Sequence, residues 1–310
     1  MLAFAGNSLL CRVALKGGAI DAASFTSVRL VSGTITLAIL VWLRSKQSEQ
    51  PLRLTRLPGD GWSALALFVY AAGFSFAYLS MAAATGALLL FGAVQATMIT
   101  WGLYQGERMR KLQLGGFALA VAGLVVLMLP GVATPGLAGS AAMLGAGVAW
   151  GAYSLLGRRK PAPGGADPTA VTAGNFIRSV PMALVLSAMA LPQLNLTSSG
   201  VLYAVASGAL TSGVGYAVWY RVLPTLQATH AATVQLSVPV IAALGGIVLL
   251  GEAATWPMAL SGCAILGGIA LVIWKKAQVP TSDSHPPVIG KDAEANPSLD
   301  ARRAPSNKLG

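Results

Sequence analysis

Ten apolar runs divide this sequence, at residues 1–15, 21–43, 62–81, 84–104, 112–130, 137–157, 169–191, 200–220, 227–250 and 256–274. A helix needs about 20 such residues to cross roughly 30 Å of hydrocarbon, and most of the runs reach that length. Only 10% of the residues are charged and 55% are hydrophobic, with a mean hydropathy of +0.67. Soluble domains carry about 25% charged residues, so this chain lacks the polar groups for a surface in water. Inside lipid the backbone must satisfy its own hydrogen bonds, which leaves helices as the spanning element for runs of this length. The expected fold class is an all-α integral membrane protein with ten transmembrane helices.

The first run is short. Fifteen residues at about 1.5 Å each rise roughly 22 Å, and no basic segment precedes them as in a cleaved leader. Either the first helix is tilted into a thin spot of the membrane, or the native start lies upstream, which is the favoured expectation. At the other end, residues 276–310 are polar, Pro-rich and of mixed charge, and are expected to form a disordered cytoplasmic tail.

The net charge is +11. Its placement between apolar runs argues against a nucleic-acid partner and for topology signals. With a cytoplasmic N-terminus, 17 of the 21 Lys and Arg fall in inner loops or the tail. The outer loops hold Lys16 alone, and Arg12, Arg29 and Arg178 lie within runs. This bias places both termini in the cytoplasm of a multi-pass protein, read as one of a bacterial inner membrane. Asn195-Leu196-Thr197 matches a glycosylation sequon on an outer loop, which bears only on a eukaryotic secretory membrane.

The runs also repeat. Ser8-Leu9-Leu10 with Arg12 matches Ser154-Leu155-Leu156 with Arg158; Arg29 matches Arg178, and Tyr78 matches Tyr220. Gly106-Glu107 and Gly251-Glu252 end the fourth and ninth runs, 145 residues apart. The halves are 1–130 and 137–275, with five runs each. Five is odd, so the second copy is expected upside down relative to the first. Two inverted five-helix repeats are the usual plan of secondary transporters, with the substrate site near the midplane.

The string GYAVWYRVLPTLQATHAATVQLSVPVIAALGGIVLLGE, the arginine in the second run and the Gly-Glu after the fourth strongly resemble the EamA family of the drug/metabolite transporter superfamily. The resemblance covers roughly residues 3–275. It implies ten helices, two EamA repeats, cytoplasmic termini and export or exchange of small metabolites. One departure is Val94-Gln95, where the second half has Pro239-Val240 and many members keep Pro in both.

Catalytic chemistry has little to work with. There is no phosphate-binding G-x-x-x-x-G-K-[ST], no H-E-x-x-H and no G-x-S-x-G. The two cysteines, Cys11 and Cys263, lie in apolar runs and form no metal or disulfide pattern. No enzyme activity and no cofactor are expected; a membrane receptor without flux, or a membrane enzyme, are the competing classes. None of the ten carboxylates lies in the middle of a run. Proton-coupled carriers often use such a group. Facilitated or exchange transport is therefore expected, unless His230 couples.

Arg29 and Arg178 are the leading pathway candidates. An arginine deep in a span is costly, and no carboxylate is available to pair with either. They can attract a substrate carboxylate, or bond neighbouring carbonyls and fix the halves together. Pro239 mid-run is expected to free the Gln235 carbonyl, with Ser237 beside it. Gln95, the near-mate of Pro239, is a candidate cavity amide, and Asn7, Trp150, Asn175 and Tyr216 are further candidates to line the path. The Gly-Glu pairs are expected at opposite membrane faces as turns or gates, with Glu capping the next helix. The expected partners are the bilayer and a small, carboxylated or amino-acid-like substrate, for a monomer or homodimer.

Overall fold

The computed structural model describes residues 1–46, 57–106, 108–129, 136–157, 167–223 and 234–274. The expected tail, His230 and Glu107 lie outside these residues. Among the described residues the fold is all helical. The helices are α1 Leu2–Lys16, α2 Ala22–Ser45, α3 Gly61–Ala77, α4 Ala83–Tyr104 and α5 Lys111–Met128. They continue as α6 Leu137–Gly157, α7 Pro168–Met189, α8 Ser198–Val222, α9 Ser237–Leu250 and α10 Trp256–Trp274. Six of them (α2, α4, α5, α7, α8 and α10) are long and apolar enough to cross a membrane; α3 and α9 are shorter apolar helices.

Local signals set the helix starts. Asp21, Asp60, Asp167 and Thr197 each accept a hydrogen bond from a first-turn amide of the helix that follows. Such caps satisfy donors that a helix cannot satisfy itself. Pro239 is the third residue of α9, and Val234 and Gln235, one turn residue ahead of that helix, are helical too. Proline has no N–H to give the Gln235 carbonyl, and the helix is interrupted by a turn at Leu236, so the break falls just ahead of α9.

Most packing runs between the two halves of the sequence. α2 packs on α7 and α8, α3 on α6 and α7, and α4 on α6 and α9. α1 packs on α8 and α9, and α5 pairs with α10. Two sets of helix ends result. One gathers the α1–α2, α3–α4, α7–α8 and α9–α10 turns; the other gathers the end of α2 and the starts of α3 and α7.

At the first end, Ile20 and Leu196 form an isolated antiparallel bridge. The Asp21 side chain accepts from the Asn195 amide at 3.1 Å, and the Thr197 amide donates to Ala19 O at 2.9 Å. Burial pushes the Asp21 carboxyl up, but the Ser24 amide and hydroxyl and the Asn195 amide outweigh it, so the group sits below its ordinary range.

α8 departs from a plain α-helix in its middle. Ser207–Val214, SGALTSGV, winds as a π-helix between two α-helical segments. A π-turn carries one extra residue and redirects the side chains beyond it, often at functional sites. Gly208 allows α2 to lie against this segment: a Cβ there would stand 1.9 Å from Ser32 Oγ and 2.2 Å from Arg29 O.

Candidate functional site

The π segment and α2 together place Arg29. Its side chain is 1% exposed in the middle of the bundle. Nε donates to Ser212 Oγ at 3.1 Å and Nη2 to the Tyr70 hydroxyl at 3.1 Å. The guanidinium also lies 5.1 Å from the ring centres of both Tyr70 and Phe74, a cation–π geometry. Nη1 is buried and has no hydrogen-bond partner. An unmade bond of this kind costs about 1–3 kcal/mol, more for a charged group. Both of the ion pairs found among the described residues lie elsewhere, so Arg29 has no carboxylate partner there.

Asn7 of α1 extends the network. Its Nδ2 donates to the same Tyr70 hydroxyl at 3.3 Å, while its Oδ1 accepts from Ser207 at 2.7 Å and Thr211 at 3.3 Å. Four helices thus converge: α1, α2, α3 and the π segment of α8. Aromatic rings wall the same place. Trp150 lies 4.9 Å from Tyr70 and 5.0 Å from Tyr216 between ring centres, and Phe4 meets Trp150 and Tyr216 edge-on. A small void opens between Phe4, Tyr70, Phe74 and Trp150. The centre offers one free cationic donor, amide and hydroxyl groups, and aromatic faces.

Of the candidates named from sequence, this centre unites Arg29, Asn7, Trp150 and Tyr216. The others lie elsewhere. Arg178 is exposed; its guanidinium donates to Gly174 O at 2.8 Å and to Leu57 O at 3.2 Å, at the second end. The expected mirrored pair of deep arginines is therefore unequal, because the α2–α3 connection reaches Arg178 and not Arg29. Asn175 serves the same connection: its Oδ1 accepts from the Asp60 amide at 3.1 Å, and its Nδ2 reaches the Tyr153 hydroxyl at 3.5 Å. Gln95 lines a separate small void with Phe117, Leu124 and Ile269. Gln235 is buried just ahead of α9, and the Ser237 hydroxyl turns back to Val234 O at 2.7 Å.

The glycines of both Gly-Glu pairs take left-handed conformations at helix ends, with φ +89° at Gly106 and φ +63° at Gly251. Glycine enters this region without the Cβ penalty, and it stops a helix there. Glu252 does not cap α10, the helix that follows it. Its Oε2 accepts from the Ala83 amide at the start of α4 at 2.9 Å, and its Oε1 meets Arg12 Nε at 3.2 Å. The spacing in the chain favours the next helix, but the packing of α9 on α4 brings a different open N-terminus closer.

Sequence reasoning passed over Tyr70, Ser207, Thr211 and Ser212. The signal available was the run of small polar residues SGALTSG inside an otherwise apolar span. Metal chemistry has no cluster among the described residues.

Together these features define a multi-pass helical membrane protein with a polar, arginine-bearing centre closed between its helices. The profile of the EamA-like transporter family matches residues 137–274. The uncharacterized protein PA1977 of Pseudomonas aeruginosa is 54% identical over 274 residues, 88% of this chain and 91% of that protein. The threonine/homoserine exporter RhtA of Salmonella typhimurium is 33% identical over 173 residues, 53% of this chain and 57% of the exporter. The chain thus spans little more than half of that exporter's length. A solved crystal structure superimposes with a TM-score of 0.60 at 20% identity, over 87% of this chain and 96% of that one, and supports the fold alone. The chain belongs to the EamA-like transporter family, and it is a membrane transporter.

Proposed function

We propose that the chain is a secondary exporter or exchanger of small carboxylated or amino-acid-like metabolites, working by alternating access, with Arg29 at its substrate site. The observation that carries this reading is the free Nη1 of Arg29, buried beside Tyr70, Asn7 and Ser212. A buried guanidinium without a carboxylate partner favours an anion, and a carboxylate can accept from Nη1 where no protein group does. The threonine/homoserine exporter among the relatives favours the amino-acid end of that class.

Two inverted repeats, 1–130 and 137–275, support the mechanism. Exchanging each helix for the one five places along maps most of the larger contacts between the halves onto one another. The pair α3–α6 becomes α8–α1, α4–α6 becomes α9–α1, and α2–α8 becomes α7–α3, all of which pack. The pairs α2–α7, α4–α9 and α5–α10 map onto themselves. Such symmetry lets one bundle adopt two mirrored states. The loops at the first end hold few basic residues, which favours that end as the outer one and the termini as cytoplasmic. Asn7, Trp150 and Tyr216 share the site; Arg178, Asn175, Gln95, Gln235, Ser237 and Pro239 act outside it, on packing or on passage.

The test is export from cells overproducing the chain. Release of amino acids and other carboxylates is measured across a panel, beside an Arg29→Gln variant of equal abundance. Release of at least one carboxylate above the variant supports the reading. Equal release by both removes Arg29 from it.

A further inference from the structure

We propose that Arg12 and Glu252 form a latch across the two halves of the chain that closes its outer end, and that this latch must part for the centre to open to that side. The proposal rests on the alternating-access reading and names the residues that gate it. Arg12 belongs to the first half and Glu252 to the second, 240 positions apart. Their side chains are only 13% and 6% exposed, which sets this pair apart from the surface pair Arg44–Asp167 at 36% and 41%. A partly buried pair loses less to screening than an exposed one.

Two further bonds of these side chains also join separate elements. Arg12 Nη1 donates to Tyr78 O at 2.9 Å, at the end of α3, and Glu252 Oε2 takes the Ala83 amide at the start of α4. One ion pair therefore ties α1, the α3–α4 turn and the α9–α10 turn together. The backbone is shaped to hold it: Gly251 turns left-handed, and a Cβ on Gly246 would stand 2.6 Å from Glu252 Oε2. The second end is closed by different bonds, Arg178 to Leu57 O and Asn175 to the Asp60 amide, again between halves. Closure at both ends by contacts between halves gives two latches on opposite faces.

Cys11 reports on the outer latch. It is adjacent to Arg12 and wholly buried. In a Cys263→Ser background, it is the remaining thiol. Cells are treated from outside with a membrane-impermeant maleimide, and the rate of Cys11 labelling is measured. Glu252→Gln raises the rate about tenfold, the shift given by roughly 1.4 kcal/mol of lost closure. Gly246→Ala raises it as well. Arg178→Gln, which loosens the opposite end, does not raise it. An unchanged rate in both Glu252→Gln and Gly246→Ala overturns the latch, and so does an equal rise in Arg178→Gln, the mark of general loosening. Labelling needs no substrate, so absent flux in the parent protein counts against the transporter reading and leaves the latch result standing.

Discussion

Arg29 is held by partners that are themselves buried, so its surroundings act as a unit. The Tyr70 hydroxyl accepts from both Arg29 and Asn7. Tyr70→Phe keeps the ring and its cation–π contact but leaves two buried donors unmet. At about 1–3 kcal/mol per orphaned donor, the variant is expected to melt earlier than the parent in detergent while retaining its helix content by circular dichroism. Asp21 carries a different kind of energy. Its folded carboxyl is held below the ordinary value of 3.8, so its contribution is complete above that value and is lost as pH falls through the lower folded one. Asp21→Asn should therefore be less stable than the parent at neutral pH. The two should converge only in strong acid, as thermal melts over a pH series will show.

Except for the start of the ninth run, which lies outside the described residues, the helices were legible in the sequence to within a few residues, because length and apolarity set them and four caps mark their starts. The interior of α8 was not. Residues 200–220 read as one plain helix, and hydrophobic spacing carries no signal for the extra residue of a π-turn. That turn points Ser207, Thr211 and Ser212 at Asn7 and Arg29, so missing it hid half of the centre. Arg29 stood out because a lone charge in an apolar run is conspicuous. Arg178 stood out for the same reason and lies outside the centre, since depth along a helix does not say which neighbour a long side chain meets. Gly208→Ala tests the contact on which the π segment depends. With Arg29 O only 2.2 Å from the new Cβ, the helices must separate, and overpacking of this kind costs about 1–3 kcal/mol or more. The expected result is a lowered melting temperature together with loss of transport.

Across the whole molecule, the duplicated signals Arg29/Arg178 and Gly106/Gly251 pointed to two halves, and the helix packing is close to symmetric under their exchange. The chemistry is not symmetric: one arginine is enclosed and the other secures a loop. Matching sequence offsets mark corresponding positions, whereas the division of roles depends on contacts between halves. Glu252 lies at one end of the bundle, and no described carboxylate lies at the centre. Transport is therefore expected to proceed without substrate-dependent proton flux, measured with a pH-sensitive dye in vesicles. The central claim is that a carboxylated substrate crosses through the Arg29 centre. Its most direct test is exchange of radiolabelled amino acids by purified protein in liposomes, for the parent and Arg29→Gln. The account predicts saturable exchange in the parent, with loss in the variant despite normal folding. Equal exchange by both, or none by a folded parent across carboxylated substrates, would contradict it.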